Sequence, residues 1–263
     1  MGILNITEDS FSDGGSFLDP GPAFMQAEKM IADGADILDI GGESTRPGSR
    51  AVDEETEMQR VLPVLARISE SHPDLTISVD TRKSGVAEKA IASGAAIIND
   101  ISALRFDSRM SAVLVANPEV KLIITHMQGE PETMQEDPRY EDVLESIDDF
   151  FAERIAFAAT RGISRKRIML DPGIGFGKDL SHNLRILANL GKFRRFDLPL
   201  VVGASRKRFI NAVNPSDTTE RIGGSLAAAW ISALQGVQIV RVHDVKAHRQ
   251  FFDTLLAITG EKL

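Results

Sequence analysis

The sequence predicts a (β/α)8 barrel that forms a single domain over residues 1–263. Three observations lead to this fold class. Short apolar runs of β type alternate with helix-like segments through about eight units, each run closes on a polar or charged residue, and neither a linker nor a low-complexity tract interrupts the series. Barrels of this class routinely use about 250 residues as one unit. A doubly wound sheet of the same length fits the pattern less well.

The first five predicted strands all end at a polar loop. They cover residues 1–6, 35–40, 75–79, 95–98 and 120–124. A helix is expected from about Pro22, and a charged amphipathic helix is expected from about Asp53 to Glu70. Thr81 follows the third strand, and its hydroxyl is predicted to cap a helix that runs through Ile91.

The second half of the chain repeats the same pattern. A long helix with apolar residues at helical spacing is predicted over 141–161, and a buried strand follows from Ile168. The remaining predicted elements are a strand at 198–202, a helix at 220–235, a strand at 237–242 and a last helix that ends near Ile258.

The segment 168–178, with the sequence IMLDPGIGFGK, is the strongest local candidate for a functional loop. Its strand delivers Asp171 into a loop that holds one proline, three glycines and Lys178, where backbone can approach a ligand closely. An ordinary turn explains these residues equally well when the segment is taken alone. A nucleotide-triphosphate P-loop is excluded, because Asp179 follows Lys178 where that motif requires Ser or Thr. The glycine spacing also misses the G-x-G-x-x-G pattern of dinucleotide folds.

The fold class itself predicts where a site would lie. In a (β/α)8 barrel the residues at the carboxyl ends of the strands meet at one mouth, whatever their separation in sequence. The residues expected to converge there are Asn5, Asp80, Asn99, His126, Asp171, Lys207, Arg241 and His243. Chance would place mostly Ser and Thr at such positions, so this set of acids, amides, histidines and cations indicates a functional site.

Composition excludes several classes of protein. A hydrophobic fraction of 43% with 26% charged residues is ordinary for a globular chain with a large core. A net charge of -8 argues against nonspecific binding to nucleic acid or to an anionic membrane. No apolar run reaches the roughly 20 residues that cross a bilayer, and the first residues lack the pattern of a signal peptide, so a cytoplasmic location is expected. The absence of cysteine excludes disulfides and thiolate metal sites.

Acids, amides and a lysine at neighbouring strand ends suit the recognition of a flat heterocycle. A carboxylate can accept two parallel hydrogen bonds from an amino group and an adjacent ring N–H, so a guanine-like edge is the natural partner. Lys207 can donate to a ring carbonyl or ring nitrogen, and the plane of Arg241 can stack on the ring face. Taken alone, Lys207 or Arg206 is better explained as a solvated surface cation.

A second set of residues suits a phosphate group, and a diphosphate better than a monophosphate. The donors in glycine-bearing loops and strand-end segments are Arg46, Arg206, Lys207 and His243. Asn5 and Asp13 supply hard oxygen ligands of the kind that Mg²⁺ accepts alongside phosphate oxygens. The helical histidines His72, His182 and His248 are expected at the surface or at helix caps, and no two histidines have the HExxH spacing of a catalytic zinc site.

Eight segments together form a specific pattern. They are MGILNITEDSFSDGG (1–15), DIGGESTRPG (39–48), SVDTRK (78–83), IINDI (97–101), THMQGEPETMQ (125–135), LDPGIGFGK (170–178), GASRKRFI (203–210) and RVHDV (241–245). In combination they resemble the dihydropteroate synthase family, the folate-pathway enzymes that sulfonamides inhibit. The resemblance covers nearly the full length of the chain.

The resemblance implies a reaction and a set of ligands. In this family 6-hydroxymethyl-7,8-dihydropterin diphosphate and 4-aminobenzoate condense to 7,8-dihydropteroate, and diphosphate leaves with Mg²⁺ present. The expected partners are therefore two small-molecule substrates, and neither nucleic acid nor a membrane is expected. The family also implies a homodimer that forms through the last helices.

The resemblance further implies a role for each matching residue. The side chains that would hold the pterin are Asp80, Asn99, Asp171 and Lys207, with Arg241 against its face. Those that would take the diphosphate are Asn5, Arg46 and His243. The metal ligands would be Asn5 and Asp13, and the aminobenzoate pocket would include Phe11 and Thr45.

The chemistry that the resemblance implies is compatible with these residue roles. Loss of diphosphate from the dihydropterin gives a delocalised cation that an arylamine can capture, so the protein mainly stabilises separating charge. The residues expected to act in catalysis are Asp80, Asp171, Lys207 and Arg46. Arg208 stands where many members of the family have a serine that contacts the aminobenzoate carboxylate, so that contact is not assigned to it.

Two other functions share part of the pattern. A pterin-binding barrel that transfers a methyl group to a corrinoid protein would also need acids and amides at its strand ends, but it would not need the STRPG and GASRKR loops. A catalytically silent paralogue could bind pterin and act through a protein partner. The presence of Asn5, Asp171, Lys207 and Arg241 argues against the silent paralogue.

Overall fold

Strands and helices alternate from one end of the protein to the other. The computed structural model describes residues 1–7, 20–44, 48–49 and 51–260. Four of the predicted site residues lie outside the described residues: Phe11, Asp13, Thr45 and Arg46. Among the residues that are described, no helix is long and apolar enough to cross a bilayer.

The described elements form eight strand-and-helix units, the last strand being followed by the last helix. The strands are β1 Gly2–Asn5, β2 Ile37–Gly41, β3 Thr76–Asp80, β4 Ile97–Asp100, β5 Lys121–Thr125, β6 Ile168–Asp171, β7 Val201–Val202 and β8 Ile239–Val240. The helices are α1 Gly21–Ala32, α2 Glu54–Ser71, α3 Ser84–Ala92, α4 Met110–Ala116, α5 Val143–Thr160, α6 Leu180–Ala188, α7 Arg208–Val213, α8 Ile222–Leu234 and α9 Val245–Thr259.

The eight strands close into a parallel barrel, as the sequence predicts. β1 to β6 pair in chain order, and β7 pairs with β8. Two single bridges join these groups, Gly2 with Val242 and Leu170 with Leu200. Backbone bonds support the first junction, because Ile3 N donates to Val242 O at 2.9 Å and Val242 N donates to Met1 O at 2.9 Å. All eight strand ends therefore face the same way around one axis.

The interior of the barrel has an apolar layer below a polar one. A small buried cluster, to which seven strands contribute or adjoin, consists of Met1, Ile97, Ile123, Met169 and Val201, with Ile37 and Ile239 packed against it. Side chains two positions apart on a strand point to the same face. The positions two residues beyond these seven are mostly polar: Ile3, Asp39, Asn99, Thr125, Asp171, Gly203 and Arg241. Strand alternation thus places polar groups directly above the apolar floor.

Several local predictions can be compared with the structure. Asp53 caps α2, since its carboxylate accepts a hydrogen bond from Thr56 N at 2.8 Å. The predicted cap at Thr81 is wrong: α3 begins at Ser84, and the Thr81 hydroxyl accepts from Lys83 N at 3.2 Å. Lys83, with extended backbone, is the residue before the first turn, so Thr81 lies two positions too early to cap it; the Lys83 side chain forms a buried ion pair with Glu43 Oε2 at 2.6 Å. Strand β8 is also shorter than the predicted 237–242.

The three helical histidines differ in their surroundings. His182 belongs to a capping box at the start of α6, and His72 lies at the C-terminal cap of α2, 2.7 Å from Glu28. The expectation of a surface or capping position is wrong for His248 of α9, whose side chain is buried. Its Nδ1 lies 2.8 Å from Asp244 O. Amphipathic spacing alone did not distinguish its buried face.

An aromatic cluster outside the barrel provides a test of the core. Phe151 on α5 is completely buried and meets Phe193 and Phe196 edge to face, with ring centroids 5.6 Å and 5.9 Å apart. Replacement of Phe151 by Ala should lower the free energy of unfolding by about 3 to 5 kcal/mol, because it leaves a cavity among rigid rings. Urea unfolding followed by circular dichroism measures this loss.

The matched control is Met25→Ala on α1, where the side chain is 67% exposed. That change should alter the free energy of unfolding by no more than about 0.5 kcal/mol. Equal losses in the two variants would contradict the assignment of Phe151 to the core.

Candidate active site

The centre of the mouth is a buried guanidinium held by two carboxylates. Arg241 donates from Nε to Asp39 Oδ2 at 2.5 Å and from the terminal NH2 nitrogen to Asp80 Oδ2 at 2.6 Å. Asn99 Nδ2 also donates to Asp39 Oδ2, at 3.2 Å. These bonds fix the plane of the guanidinium and tie together the ends of β2, β3, β4 and β8.

Burial sets the proton affinity of these groups. It raises the pKa of Asp80 to about 7, against the opposing effect of the Arg241 charge. Burial by itself would lower the pKa of Arg241, but the carboxylates of Asp39, Asp80 and Asp171 reverse this effect and raise it. Arg241 therefore stays charged, and Asp80 can exchange a proton near neutral pH.

Asp171 and Lys207 form the neighbouring part of the mouth. Asp171 Oδ1 accepts a hydrogen bond from Gly173 N at 2.7 Å. Burial raises the pKa of Asp171, while the charge of Lys207 opposes the rise. Lys207 Nζ donates to Ile174 O and lies 4.5 Å from the centre of the Phe176 ring. Burial lowers the pKa of Lys207 to about 8, with Asp171 acting in the opposite sense.

Two buried acceptors in this cluster have no partner. Asp39 Oδ1 and Asn99 Oδ1 are shielded from solvent and accept no hydrogen bond within the described part of the chain. Buried polar atoms are almost always satisfied, so each of these acceptors calls for a donor, from a water molecule or from a ligand. Asp171 Oδ2 likewise accepts no hydrogen bond from a described residue. The polar layer of the mouth thus holds acceptors for which the described residues supply no hydrogen-bond donor.

A cavity of about 680 Å³ opens beside Lys207 and Arg241. The cations that line it are Lys178, Arg206, Lys207, Arg208, Arg221 and Arg241. Asp179 is the one acid of the described lining, and Arg206 is paired with Asp244, Nε to Oδ2 at 2.8 Å. In a chain with a net charge of -8, this concentration of cations favours an anionic ligand.

Asn5 and His243 also line this cavity. His243 Nδ1 lies 3.2 Å from Ser205 Oγ, which orients the imidazole at the end of β8. The described residues contain no group of three His, Asp or Glu side chains that could hold a metal ion. Mg²⁺ commonly takes most of its ligands from phosphate oxygens and water. A single protein ligand, Asn5, is compatible with an ion bound in this way. Asp13, the second predicted ligand, lies outside the described residues.

Most of the described site residues lie at the mouth as expected, but His126 has a different place. Asn5, Lys207, Arg241 and His243 line the cavity. The remaining three, Asp80, Asn99 and Asp171, lie in the buried cluster around Arg241 or beside Lys207. His126 follows β5 as predicted, but its ring packs edge to face on Phe150, 4.9 Å between centroids, and it does not line the cavity.

Sequence reasoning missed three residues of this region. Asp39 was not selected because it lies inside a predicted strand, yet alternation with Ile37 could have placed it in the polar layer. Arg221, at the start of α8, reaches the cavity and donates to Arg206 O at 3.0 Å, which no local pattern signals. Lys178 was noted as part of the glycine-rich loop but was given no role.

Comparison with known proteins agrees with this geometry. Residues 1–243 match the family of pterin binding enzymes. The dihydropteroate synthase of Escherichia coli strain K12 is 48% identical over 246 residues, which cover 94% of this chain and 86% of that protein.

Two solved structures have the same fold. One is the Yersinia pestis dihydropteroate synthase with a sulfonamide drug complex, with a TM-score of 0.92, 40% identity and coverage of 99% of this chain and 94% of the other. The second is the Xanthomonas albilineans dihydropteroate synthase in complex with 7,8-dihydropteroate, with a TM-score of 0.88, 35% identity and coverage of 99% and 93%. The chain therefore belongs to the pterin-binding enzymes and, within them, to the dihydropteroate synthases.

Proposed function

We propose that the chain condenses 6-hydroxymethyl-7,8-dihydropterin diphosphate with 4-aminobenzoate, giving 7,8-dihydropteroate and diphosphate. The protein is a transferase of folate biosynthesis. The observation that carries the site assignment is a pair of strand-end acceptors that accept no hydrogen bond from a described residue, Asn99 Oδ1 and Asp171 Oδ2, near the cationic cavity. A ligand with a donor-rich edge and an anionic substituent supplies what both regions lack.

The pterin edge is proposed to lie over the buried acceptors. Asp171 Oδ2 and Asn99 Oδ1 would accept from the amino group and the ring N–H of the heterocycle, as a carboxylate and an amide can. Lys207 would donate to a ring acceptor from its place above Ile174 O. Asp80 would hold the guanidinium of Arg241, so that its flat face packs against the pterin ring.

The diphosphate is proposed to lie in the cationic cavity. Asn5 and His243 line it, and Arg46 is assigned to the same group from the sequence, although it lies outside the described residues. Mg²⁺ held by Asn5 and Asp13 would offset the negative charge of the leaving group when it is bound.

The chemical step is proposed to be cleavage of the C–O bond followed by capture of the cation by the arylamine nitrogen. The electron pair of the broken bond leaves with diphosphate, and the amine loses one proton after it bonds to carbon. Asp80 and Asp171 stabilise positive charge on the pterin, while Arg46 stabilises the leaving anion. Lys207 holds the ring in place. A side-chain nucleophile has no part in this path.

The arylamine is proposed to enter beside Phe176, with its carboxylate toward the outer cations. Phe176, Lys207, Arg208 and Arg221 line this side of the cavity. Two guanidinium groups would favour an ionised carboxylate there. Phe11 and Thr45 complete the proposed pocket from the sequence and lie outside the described residues.

One assay tests the whole proposal. The chain is mixed with the pterin diphosphate, 4-aminobenzoate and Mg²⁺, and 7,8-dihydropteroate and diphosphate are measured. Stoichiometric formation of both products is expected. Binding of pterin without any product would favour a silent pterin-binding protein instead.

The chain is further proposed to act in the cytosol as a homodimer. Support for the location is the small-molecule folate chemistry of its relatives. Support for the dimer is a set of exposed apolar side chains on the last two helices, Ile231 at 38%, Leu234 at 57% and Ile258 at 77%. Exposed apolar patches commonly mark protein interfaces.

The assignment of Asp171 predicts the result of its replacement by Asn. The amide oxygen can still accept from Gly173 N, but the NH2 group then faces a donor of the pterin. Binding of a pterin without diphosphate should weaken by about 2 to 4 kcal/mol, measured by calorimetry. Asp137→Asn, at an exposed pair with Arg139, is the control and should bind the pterin as the parent does. Parent-like binding by Asp171→Asn would refute the assignment.

The two titrating groups predict how this binding depends on pH. Below a pH of about 7 Asp80 takes up a proton and no longer supports Arg241, so affinity falls. Above a pH of about 8 Lys207 loses its proton and its charge, so affinity falls again. Calorimetry across this range should find the tightest binding between the two values. Lys207→Met should lose the alkaline fall and keep the acidic one; an unchanged alkaline fall would show that another group causes it.

The dimer proposal predicts a change of mass on mutation. Leu234→Arg places a charge in the exposed apolar patch and should shift the sedimentation coefficient from dimer to monomer. Val213→Arg, at an exposed apolar residue of α7 and not of the last two helices, is the control and should leave the dimer intact. A monomeric parent chain would contradict the proposal.

A further inference from the structure

Lys178 carries a buried amine to which the proposed reaction gives no task. Its side chain is almost completely shielded, with 2% exposure. Nζ lies 2.9 Å from His126 Nδ1, 3.2 Å from His126 O and 2.9 Å from Phe176 O. Within the described part of the chain it forms no ion pair with a carboxylate. Three contacts with fixed neighbours hold the amine of this side chain in one position.

The acceptors of Lys178 belong to two different loops. His126 follows β5, whereas Phe176 lies in the glycine-rich loop after β6. These loops touch through backbone: a Cβ on Gly173 would lie 2.0 Å from His126 O, and a Cβ on Gly177 would lie 2.3 Å from Gln128 O. Both glycines also have positive φ, +68° and +63°. Lys178 therefore bridges a contact that side chains on the glycines would prevent.

Two further side chains reach across the same junction. Gln135 Nε2 donates to Gly175 O at 2.6 Å, and Tyr140 OH donates to Gly177 O at 2.8 Å. Both donors come from the segment after β5. The segment after β5 thus holds two carbonyls of the loop after β6, and Lys178 adds a buried link in the other direction, from that loop to His126.

The loop that Lys178 holds is also the support of Lys207. Lys207 Nζ bonds to Ile174 O, and its charge faces the ring of Phe176. A Cβ on Gly175 would lie 3.2 Å from Lys207 Cδ, so the loop backbone also contacts the side chain along its length. Any shift of residues 174–176 would move Lys207, which has no other hydrogen-bond acceptor in the described part of the chain.

We propose that Lys178 is a positioning residue for pterin binding, which locks the loop after β6 against the loop after β5 and thereby sets the place and the environment of Lys207. The inference rests on the proposed contact between Lys207 and the pterin. Loss of Lys178 would let the loop move away from Lys207, and a less enclosed Lys207 would be better hydrated and easier to protonate.

The charges around both lysines give the direction of the effect. Burial lowers the pKa of Lys178 well below its usual range, and Lys207 adds to this while Asp171 opposes it. The groups that act on Lys207 are Asp171 on β6, Arg241 beyond β8 and Asp80 on β3, in addition to its burial. Partial hydration of Lys207 would weaken the effect of burial and so raise the pKa of Lys207.

The test compares Lys178→Met with the parent chain and with Lys192→Met. The control removes a lysine that pairs with Glu145 outside the cavity lining. Calorimetry measures the affinity for a pterin without diphosphate from pH 6 to pH 10. We expect Lys178→Met to bind about tenfold more weakly at neutral pH, because buried acceptors of two loops lose their donor, and we expect the fall in affinity at alkaline pH to move to higher pH. Lys192→Met should match the parent in both respects.

A general loss of stability would not move the alkaline fall, so the pH profile separates positioning from mere support of the fold. Affinity within about threefold of the parent, or weaker binding with an unmoved alkaline fall, would overturn the inference. If Lys178→Met does not fold, His126→Leu replaces it, since this removes one acceptor and leaves two. His126→Leu should then bind about threefold more weakly with the same direction of shift, and parent-like binding would overturn the inference.

The outcome is distinct from a failure of the proposed function. A parent chain that does not bind the pterin would refute the proposed function. A parent that binds it, together with a Lys178→Met variant that binds it equally, would refute only the role of Lys178.

Discussion

The arrangement of the mouth depends on the burial of one cation, the guanidinium of Arg241. A buried charge is tolerated only when it is paired and hydrogen-bonded, and removal of one partner of such a pair costs about 3 to 5 kcal/mol. Asp39 and Asp80 meet this requirement from two other strands, and Asn99 is drawn in through Asp39. The ends of four strands are therefore fixed relative to one another by a single electrostatic constraint, before any ligand is considered.

The two-residue alternation of side chains along each strand determines which residues point into the barrel and can take part in this pairing. The apolar floor fills the lower barrel, and the next inward position on most strands is polar. On β7 this position is Gly203, which has no side chain and contributes no group to the polar layer. A shift of one residue in any strand would move its polar group to the outside of the barrel. The parallel register, with Asn5 opposite Gly41 and Asp80 opposite Asn99, prevents this.

The site separates its charges by depth. The acids Asp39, Asp80 and Asp171 lie buried at the floor, while most of the cations line the cavity above. A substrate that breaks into a cationic ring and an anionic leaving group needs this order, because each fragment then meets fixed charges of the opposite sign. The same burial brings the pKa of Asp80 to about 7 and that of Lys207 to about 8. Charge separation and sensitivity to pH thus share one cause.

The sequence by itself determined the alternation of strands and helices, the positions where most strands end and the residue types that meet at the mouth, because these depend on periodicities within each segment. Only the tertiary structure decided which of these residues bond to one another. Arg241 and Asp39 are 202 positions apart, and no local pattern encodes their pairing. Thr81 has no capping role because α3 begins only at Ser84, and the ring of His126 contacts Lys178 and Phe150 instead of lining the cavity. Such choices depend on the neighbours that packing supplies.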